Sequence, residues 1–491
     1  MKQYTIISLL ILLFSTTSCS DWLRPESEDR ILEESLFQTE SGFHTALNGV
    51  YIAMLDQNLY GQKLTMTTFD VMAQYYDTSK PLNSHIYRNI AGFDHQTMKD
   101  AVKDIWTKAY ELIANLNIII EHCETDRAVL SERGYNVVKG EALALRAMLH
   151  FEMFRIFGPV YRFEPGMLCI PYNDDTDKNV KPLLSATEAS GRIIADLKEA
   201  ERLLEQSDPV ITEGNVITAG TSTSENRYRF RGQRLNYFAV QALLARVNLY
   251  IGETAKAGEY AKKVISGAAK FFPFATREQV SGQAAAGSVS EASEDRILSS
   301  EILFGLYNSS RTSDTYDKLF SNQLEPKNVL RMTDYGASRL YDEEGDLRRC
   351  QWQTKRDIES NDGRFFVKYG EVNDLGNEYA NLIPLIRMSE MYLIQAECEG
   401  SVEPLDKLRE ARKISRYGTN SGLNRHIEEE YAREFIGEGQ LFWFYKRKGE
   451  TSLRRIYNPQ LENLKISTSL YVLDIPCLLY TSPSPRDRTR S

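Results

Sequence analysis

The sequence predicts a mostly α-helical protein, in which a helical-repeat scaffold carries long irregular loops and a few short strands. Three observations favour this fold class. Apolar side chains recur every three or four residues, small residues stand where helices could approach closely, and stretches rich in Gly, Ser, Asn and Asp separate the helical segments. The 491 residues, 42% of them hydrophobic, supply ample material for a core.

Apolar stripes and end signals locate the helices. Phe157-Gly158-Pro159 ends one helix, because proline cannot continue it, and Ser185 with Glu188 forms a capping box that begins another. The stripes run over 43–54, 106–120, 143–154 and 193–204, and further helices are expected over about 234–250, 254–267, 384–399, 403–416 and 426–448.

A repeat of two helices joined by a short turn is visible around Gly252. The segment from Ala242 to Tyr250, the turn and the stripe from Ala257 to Ile265 resemble a tetratricopeptide repeat. Arg387 to Glu397 and the helix around Arg146 could be related first helices. The scaffold is therefore expected to be tetratricopeptide-like, with long loops at about 60–100, 207–233, 270–300 and 305–380.

Residues 1–18 have the pattern of a bacterial lipoprotein export signal. A lysine is followed by an apolar run over 6–14 and by small residues just before Cys19. The apolar run is too short to span a bilayer as a helix. We expect a cut before Cys19 and lipidation of its thiol. An ordinary secretory signal beside a chance cysteine is the alternative, since Thr16 stands where the lipidation motif usually has Leu.

The last fifteen residues differ from the rest. After the apolar run that ends at Leu473, the sequence becomes rich in Pro, Ser and Arg and resembles a translated sequencing-library adapter. We interpret 477–491 as a non-native tail that replaces the native C-terminus, with a disordered natural tail as the alternative. The expected organisation is a signal peptide over 1–18, one binding domain over 19–476 and this tail.

Composition and motifs exclude several classes of function. The net charge of −9 argues against a nucleic-acid partner. Nucleophile elbows, phosphate-binding glycine loops and His-Glu-x-x-His motifs are absent from the sequence, so neither an enzyme nor a cofactor is expected. The acidic stretch 173–177 begins like a calcium loop, but Lys178 replaces its glycine and Leu184 its glutamate, so no metal site is expected. Four dispersed cysteines are expected to be buried rather than to form a disulfide framework: Cys123, Cys169, Cys350 and Cys398.

Motifs in order along the chain resemble those of one known family. They are Cys19 with Asp21 and Leu23, Trp106-x3-Tyr110-x2-Ile113-x3-Asn117, Glu141-x4-Arg146-Ala147-x3-Phe151, Phe157-Gly158-Pro159, Ser299-Ser300-Glu301, Asp346-Leu347-Arg348, Arg387-x2-Glu390-x2-Leu393 and Glu434-x3-Glu438-Gly439. The ordered set resembles the SusD/RagB family of outer-membrane nutrient-binding lipoproteins. The chain departs from the family pattern at Gln440, where Arg is usual, and at Phe444, where Asp is usual, which leaves local ion pairing open.

The resemblance implies binding rather than catalysis. Members of this SusD-like family are lipid-anchored in the outer membrane of Gram-negative bacteria and face the outside of the cell. They act as the lid of a SusC/RagA-like TonB-dependent transporter, to which they deliver an oligosaccharide or polysaccharide ligand. Two other functions stay open from the residues alone, a glycan-cleaving lipoprotein and a scaffold for outer-membrane assembly.

Aromatic and polar side chains in the loops are the candidate ligand contacts. Sugars are bound by aromatic faces against C–H patches and by polar groups at hydroxyls, on loops that a rigid scaffold holds. A loop after Asp70 mixes both kinds of group, and a later excursion over 305–380 adds further rings. The predicted ligand-binding residues are Tyr75, Tyr76, Asn83, Tyr87, Arg88 and Trp352.

Overall fold

The structure is a computed structural model that describes residues 35–80, 84–177, 179–222, 226–281, 295–353, 363–372 and 381–476. Cys19, Asn83, the signal segment 1–18 and the tail 477–491 lie outside the described residues. Among the described helices, none combines the length and the apolar character that crossing a bilayer requires.

Helices make up most of the regular structure, as the sequence predicts. In chain order they are α1 (Glu40–Ala53), α2 (Thr68–Met72), α3 (Arg88–Ala91), α4 (His95–Thr125), α5 (Glu132–Phe157), α6 (Ala186–Ser207), α7 (Val210–Glu213), α8 (Tyr237–Tyr250), α9 (Thr254–Ala268), α10 (Arg277–Ser281), α11 (Asp317–Leu319), α12 (Asp334–Leu340), α13 (Met388–Glu399), α14 (Glu403–Ala411), α15 (Leu423–Glu434) and α16 (Gln440–Lys448).

Short strands pair two by two. The described strands are β1 (Leu168–Pro171), β2 (Leu183–Ser185), β3 (Ile302–Tyr307), β4 (Arg331–Met332), β5 (Arg364–Phe365), β6 (Leu382–Arg387), β7 (Ser452–Leu453) and β8 (Leu464–Lys465). Each pair is antiparallel: β1 with β2, β3 with β6, β4 with β5 and β7 with β8. In the longest pair, Ile302 lies opposite Arg387 and Tyr307 opposite Leu382.

The predicted helical-repeat scaffold is confirmed. Successive helices pack in pairs, α5 against α6, α8 against α9 and α13 against α14, and α13 also contacts α9. Small residues permit this close packing: a side chain at Gly140 of α5 would come within 2.8 Å of Leu204 of α6. Ala142 and Ala147 of α5 and Ala245 of α8 are fully covered by their neighbours.

Helix ends follow the local signals in several places. The predicted capping box is confirmed, because the Ser185 hydroxyl accepts from the Glu188 backbone N–H at 3.2 Å and the Glu188 carboxylate accepts from the Ser185 N–H at 3.0 Å. α5 ends at Phe157, as Gly158 and Pro159 predict. Of the four cysteines expected to be buried, Cys123 and Cys169 are buried, whereas Cys350 and Cys398 are only half-buried.

Three predicted boundaries were wrong. The expected helix over 384–399 begins only at Met388, because Leu382–Arg387 pairs as a strand with β3. The expected helix over 426–448 is two helices, since Gly437 and Gly439 adopt positive φ of 78° and 72° in the turn between them. The helix predicted over 403–416 already ends at Ala411.

The family motifs meet in a buried network of ion pairs. Arg412 Nη2 lies 2.5 Å from Glu301 Oε1, and Arg387 Nη1 lies 2.7 Å from the same carboxylate. Both guanidiniums also contact Glu434, at 2.7 and 2.9 Å. Burial by itself raises the pKa of Glu434, but the surrounding guanidiniums, Arg412 first, outweigh it and hold that pKa well below its ordinary value. The network fixes β6, α14 and α15 to one another.

The two departures from the family pattern have structural partners. Gln440 Oε1 accepts a hydrogen bond from Arg155 Nη1 at 3.0 Å, and Arg155 pairs with Glu152. Phe444 is buried with its ring centre 4.8 Å from that of Tyr431. An amide and a ring therefore fill these positions without leaving a buried charge unpaired.

Candidate ligand-binding site

The structure brings the two predicted aromatic excursions together inside the core. The ring centres of Tyr75 and Tyr76 are 6.3 Å apart, and Tyr76 lies 6.0 Å from Phe320. Phe320 lies 5.2 Å from Phe366, which lies 5.0 Å from Trp352. We name these five rings the aromatic cluster. Edge-on and tilted contacts of this kind stabilise a core beyond the area they bury.

Three predicted stacking rings are buried in this cluster. Tyr75 is 0% exposed, Tyr76 1% and Trp352 4%. The Tyr75 hydroxyl donates to the carbonyl of Ala432 at 2.9 Å, and burial raises the pKa of Tyr75 and of Tyr76 well above the ordinary value. The expectation that these rings present open faces to a ligand is not met, because ring–ring packing covers them.

A buried carboxylate locks the aromatic cluster to the C-terminal helices. Asp70 at α2 accepts hydrogen bonds from the backbone N–H of Gly437 at 2.5 Å and of Gly439 at 3.0 Å. Burial raises the pKa of Asp70, and these two donors act against that rise. The positive-φ turn thus aims two amides at one carboxylate.

Two loop segments form a surface that we name the loop face, residues 84–88 and 323–331. Their backbones are joined directly: the N–H of Ile86 donates to the carbonyl of Lys327 at 3.1 Å. His85 Nε2 lies 3.1 Å from the carbonyl of Val329. Nearby, the N–H of Asp77 donates to the carbonyl of Arg331 at 2.8 Å. The loop face is therefore a fixed platform on a packed core.

Tyr87 and Arg88 are the predicted site residues that reach this surface. Tyr87 is half-buried, and burial raises the pKa of its hydroxyl to about 12, so the phenol is neutral and can both donate and accept. Arg88 begins α3 and is exposed, without a side-chain hydrogen bond in the described part of the chain. Ile86, which sequence reasoning did not single out, is 55% exposed beside them.

A cavity of about 870 Å³ lies apart from the loop face, between α4 and the segment 171–183. We name it the α4 cleft. Its wall on α4 includes the exposed Ala114 and the half-buried Tyr110 and Ile118, and its opposite wall includes Val180 and Leu183. The segment's acidic residues resemble an incomplete calcium loop, and its signal for a cleft is the apolar Val180, which is 67% exposed.

The acidic segment is fastened over the α4 cleft by hydrogen bonds. Asn117 Nδ2 donates to the carbonyl of Asn173 at 3.1 Å and to that of Asp175 at 2.7 Å. Arg146 holds Asn117 Oδ1 at 2.9 Å and pairs with Asp196 at 2.7 Å. These motif residues therefore act as supports of the segment. No cluster of three or more metal-ligating side chains occurs in the described residues.

These features define a class of protein: a helical-repeat scaffold with a packed aromatic core, on which loops form open surfaces. Comparison with known proteins specifies the class further. Residues 21–216 match a SusD-like family model described as "Starch-binding associating with outer membrane". A SusD-like protein of Formosa agariphila is 27% identical over 175 residues, which are 34% of this chain and 33% of that protein. The aligned segments span 33–39% of the length of the curated relatives.

Solved structures extend the similarity to most of the chain. A SusD superfamily protein of Bacteroides thetaiotaomicron has a TM-score of 0.68 at 19% identity, covering 90% of this chain and 97% of that one. A laminarin-binding SusD-like protein has a TM-score of 0.57 at 16% identity, covering 84% and 92%. The resemblance inferred from the motifs is confirmed: residues 21–216 match the SusD-like model in sequence, and most of the chain has the fold of SusD superfamily structures.

Proposed function

We propose that the protein is a cell-surface lipoprotein that binds oligosaccharides and delivers them, as a lid, to a SusC/RagA-like TonB-dependent transporter. The family description, starch binding in association with the outer membrane, supports the ligand class and the location. A neighbour of the same fold is a laminarin-binding protein, which also favours a glycan. Lipidation at Cys19 supplies the anchor in this proposal.

The fixed loop face is the observation that carries the proposal. It combines a half-buried phenol at Tyr87, an exposed guanidinium at Arg88 and the apolar Ile86 on a backbone that the segment 327–331 holds in place. A sugar requires this combination of an apolar face and polar groups at its edges. Asn83 immediately precedes this segment in sequence and stays a proposed contact with Tyr87 and Arg88.

The loop face and the α4 cleft can be separated by one set of variants. Tyr87→Ala and Arg88→Ala remove groups of the loop face, whereas Ala114→Trp fills the α4 cleft from an exposed position on α4. Binding of laminari- and malto-oligosaccharides is measured by titration calorimetry. Each loop-face variant should lose about 1–2 kcal/mol of binding free energy, which is the order of one aromatic or charged contact.

The control variants distinguish a specific loss of binding from a general effect of substitution. Arg202→Ala removes a surface arginine that pairs with Glu199 away from both surfaces, and it should bind like the wild type. Loss of binding in Ala114→Trp alone would move the ligand to the α4 cleft and leave the glycan function in place. A wild type that binds none of the glycans contradicts the proposal, and new reducing ends in the incubation would indicate cleavage instead of binding.

A further inference from the structure

A depression distinct from the α4 cleft is lined mainly by charged side chains. It has a volume of about 280 Å³ between α12, α15 and the segment 454–459. We name it the arginine groove. Four guanidinium groups and two carboxylates line it: Arg339, Arg425, Arg433, Arg454, Asp342 and Glu429.

Two of the four guanidiniums are committed to the protein itself. Arg433 Nε donates to the carbonyl of Leu340 at 2.7 Å, and its Nη1 donates to Glu430 at 2.8 Å. Arg425 Nε donates to Glu429 at 3.0 Å. The bond to Leu340 holds α15 against the end of α12, whereas the bonds to Glu430 and Glu429 lie within α15.

The other two guanidiniums retain unused donors. Arg454 lies 3.7 Å from Glu429 and 3.8 Å from Glu428, beyond the range of a normal hydrogen bond. Arg339 is exposed at the end of α12, and within the described residues its side chain makes no hydrogen bond or ion pair. Donors of both residues therefore face the groove without a protein acceptor.

The guanidinium groups of the arginine groove have carboxylate neighbours. Four positive and two negative groups line the groove, and Glu428 and Glu430, which pair with Arg454 and Arg433, bring the number of acidic groups to four. The groove therefore selects an anion through its unused guanidinium donors and not through an excess of charge. Guanidinium groups bind carboxylate, sulfate and phosphate groups in a planar, two-point geometry.

We propose that the arginine groove binds an oxyanion, the carboxylate or sulfate group of an acidic oligosaccharide, through Arg339 and Arg454. This inference rests on the proposed glycan function and specifies its substrate class. The volume of 280 Å³ suits one charged group with the sugar that carries it rather than a long chain.

The fold connects this groove with the loop face. The strand β4 contains Arg331 of the loop face and is followed at once by α12, at whose far end Arg339 lies. α12 has 7 residues, so the two surfaces are separated along the chain by a helix of about 10 Å. Thr333, the N-cap of α12, accepts from the N–H of Gly336 at 3.0 Å and stabilises this connection.

The first test uses the anion alone. Inorganic sulfate and glucuronate are titrated into the full-length protein at low salt, with glucose as the uncharged reference. The wild type should bind both anions and not glucose, and Arg339→Gln/Arg454→Gln should bind them about tenfold more weakly. Arg416→Gln is the matched control, because Arg416 is an exposed arginine paired with Glu410 outside the groove.

The second test uses acidic and neutral oligosaccharides of equal length. The wild type should prefer the acidic one about tenfold at low salt, and both the double substitution and added salt should abolish this preference. Circular dichroism and the urea midpoint of the double variant should equal those of the wild type.

The outcomes separate the inference from the function on which it rests. Sulfate and glucuronate that fail to bind, or that bind the double variant as well as the wild type, overturn the inference. Neutral glycans that still bind in that case leave the proposed function standing. A protein that binds sulfate through the two arginines but binds no oligosaccharide supports an oxyanion site and overturns its assignment to acidic glycans, together with the glycan function.

Discussion

Arg246 on α8 and Glu390 on α13 are joined by two hydrogen bonds, from Nε to Oε1 at 2.7 Å and from Nη2 to Oε2 at 2.6 Å. Both side chains are buried, and the same Nη2 also donates to the carbonyl of Leu385 at 2.8 Å. The pair links the first helices of two helix pairs. It therefore specifies how one repeat is placed on the next.

Removing one partner of this pair should destabilise the protein strongly. Arg246→Met leaves the Glu390 carboxylate buried without its counter-ion, and the free energy of unfolding should fall by about 3–5 kcal/mol. Arg246→Met/Glu390→Leu should cost less than the single change, because no charge is left buried. Urea unfolding measures both. Arg202→Met, at an exposed pair, should change stability by less than about 1 kcal/mol. Equal losses of stability in Arg246→Met and Arg202→Met would contradict a special role of the buried pair.

Stability should decrease when the pH falls below about 6.5. His150 is buried, its Nδ1 lies 2.9 Å from the carbonyl of Arg146, and its Nε2 accepts from the N–H of Asn173 at 3.1 Å. Only the neutral ring can do both, and burial lowers its pKa to about 3. Burial also lowers the pKa of His44, to about 4. The unfolded chain therefore binds these protons more readily than the folded one.

The magnitude and the control follow from this linkage. Each pKa unit corresponds to about 1.4 kcal/mol, so His150 alone should account for about 2 kcal/mol of lost stability between pH 7 and pH 5. Urea midpoints at several pH values measure the slope. His150→Phe should flatten it, whereas the exposed His95→Asn should not. A slope that His150→Phe leaves unchanged would refute the assignment. Below pH 4.5, protonation of Glu397 and Glu430, whose arginine partners outweigh burial and hold each pKa at about 2, adds a further loss.

The capping box of α6 should be measurable on its own. Ser185→Ala removes the acceptor of the Glu188 N–H, and the loss should be about 1 kcal/mol. Glu188→Gln keeps an acceptor for the Ser185 N–H and should cost only a fraction of that. Thermal or urea unfolding of both variants checks this expectation, and a Ser185→Ala protein as stable as the wild type would show that the cap is not needed.

Substitutions in the aromatic cluster should act on stability. Tyr76→Ala empties a site whose ring is 1% exposed, and the expected loss is about 3–5 kcal/mol. Tyr335→Ala, at a ring that is 43% exposed, should cost less than about 1 kcal/mol. Unfolding and glycan titration are measured on the same samples. A fully stable Tyr76→Ala protein with weakened binding would restore the original expectation of a stacking role.

Lipidation at Cys19 is tested by location. The wild type should partition into detergent and be cut by protease added to intact cells. Cys19→Ala should release the protein from the membrane fraction into the periplasm, because one removable thiol carries the anchor. Membrane association that persists in Cys19→Ala would indicate attachment by another route.

Much of the scaffold could be predicted from sequence signals at the ends of helices. The capping box at Ser185 and the stop at Phe157 depend on residues close in sequence, and the structure has both where they were expected. The sequence predicts a helix from about residue 384, although residues 382–387 form a strand, because a short apolar run does not distinguish helix from strand by its periodicity. The partner strand β3 lies about 80 residues earlier in the chain. Pairing over such a distance is decided by tertiary structure.

The site was predicted less well for the same reason. Sequence placed Tyr76 and Trp352 among loop residues, and both excursions do meet in space. Which ring faces water depends on contacts with Phe320 and Phe366, and these are invisible in sequence. The arginine groove likewise assembles α12, α15 and a later segment, each of which carries an unremarkable number of charges.

The bond between Asp70 and the turn at Gly437 and Gly439 has a consequence for biogenesis. These partners are 367 and 369 residues apart, so the support under the loop face closes only after nearly the whole chain has emerged. Contacts so distant in sequence form slowly, and until then the aromatic rings beside Asp70 stay uncovered and prone to aggregation. A polypeptide that stops before residue 437 lacks both amide donors, so the Asp70 carboxylate is left without them and the turn that covers it cannot form.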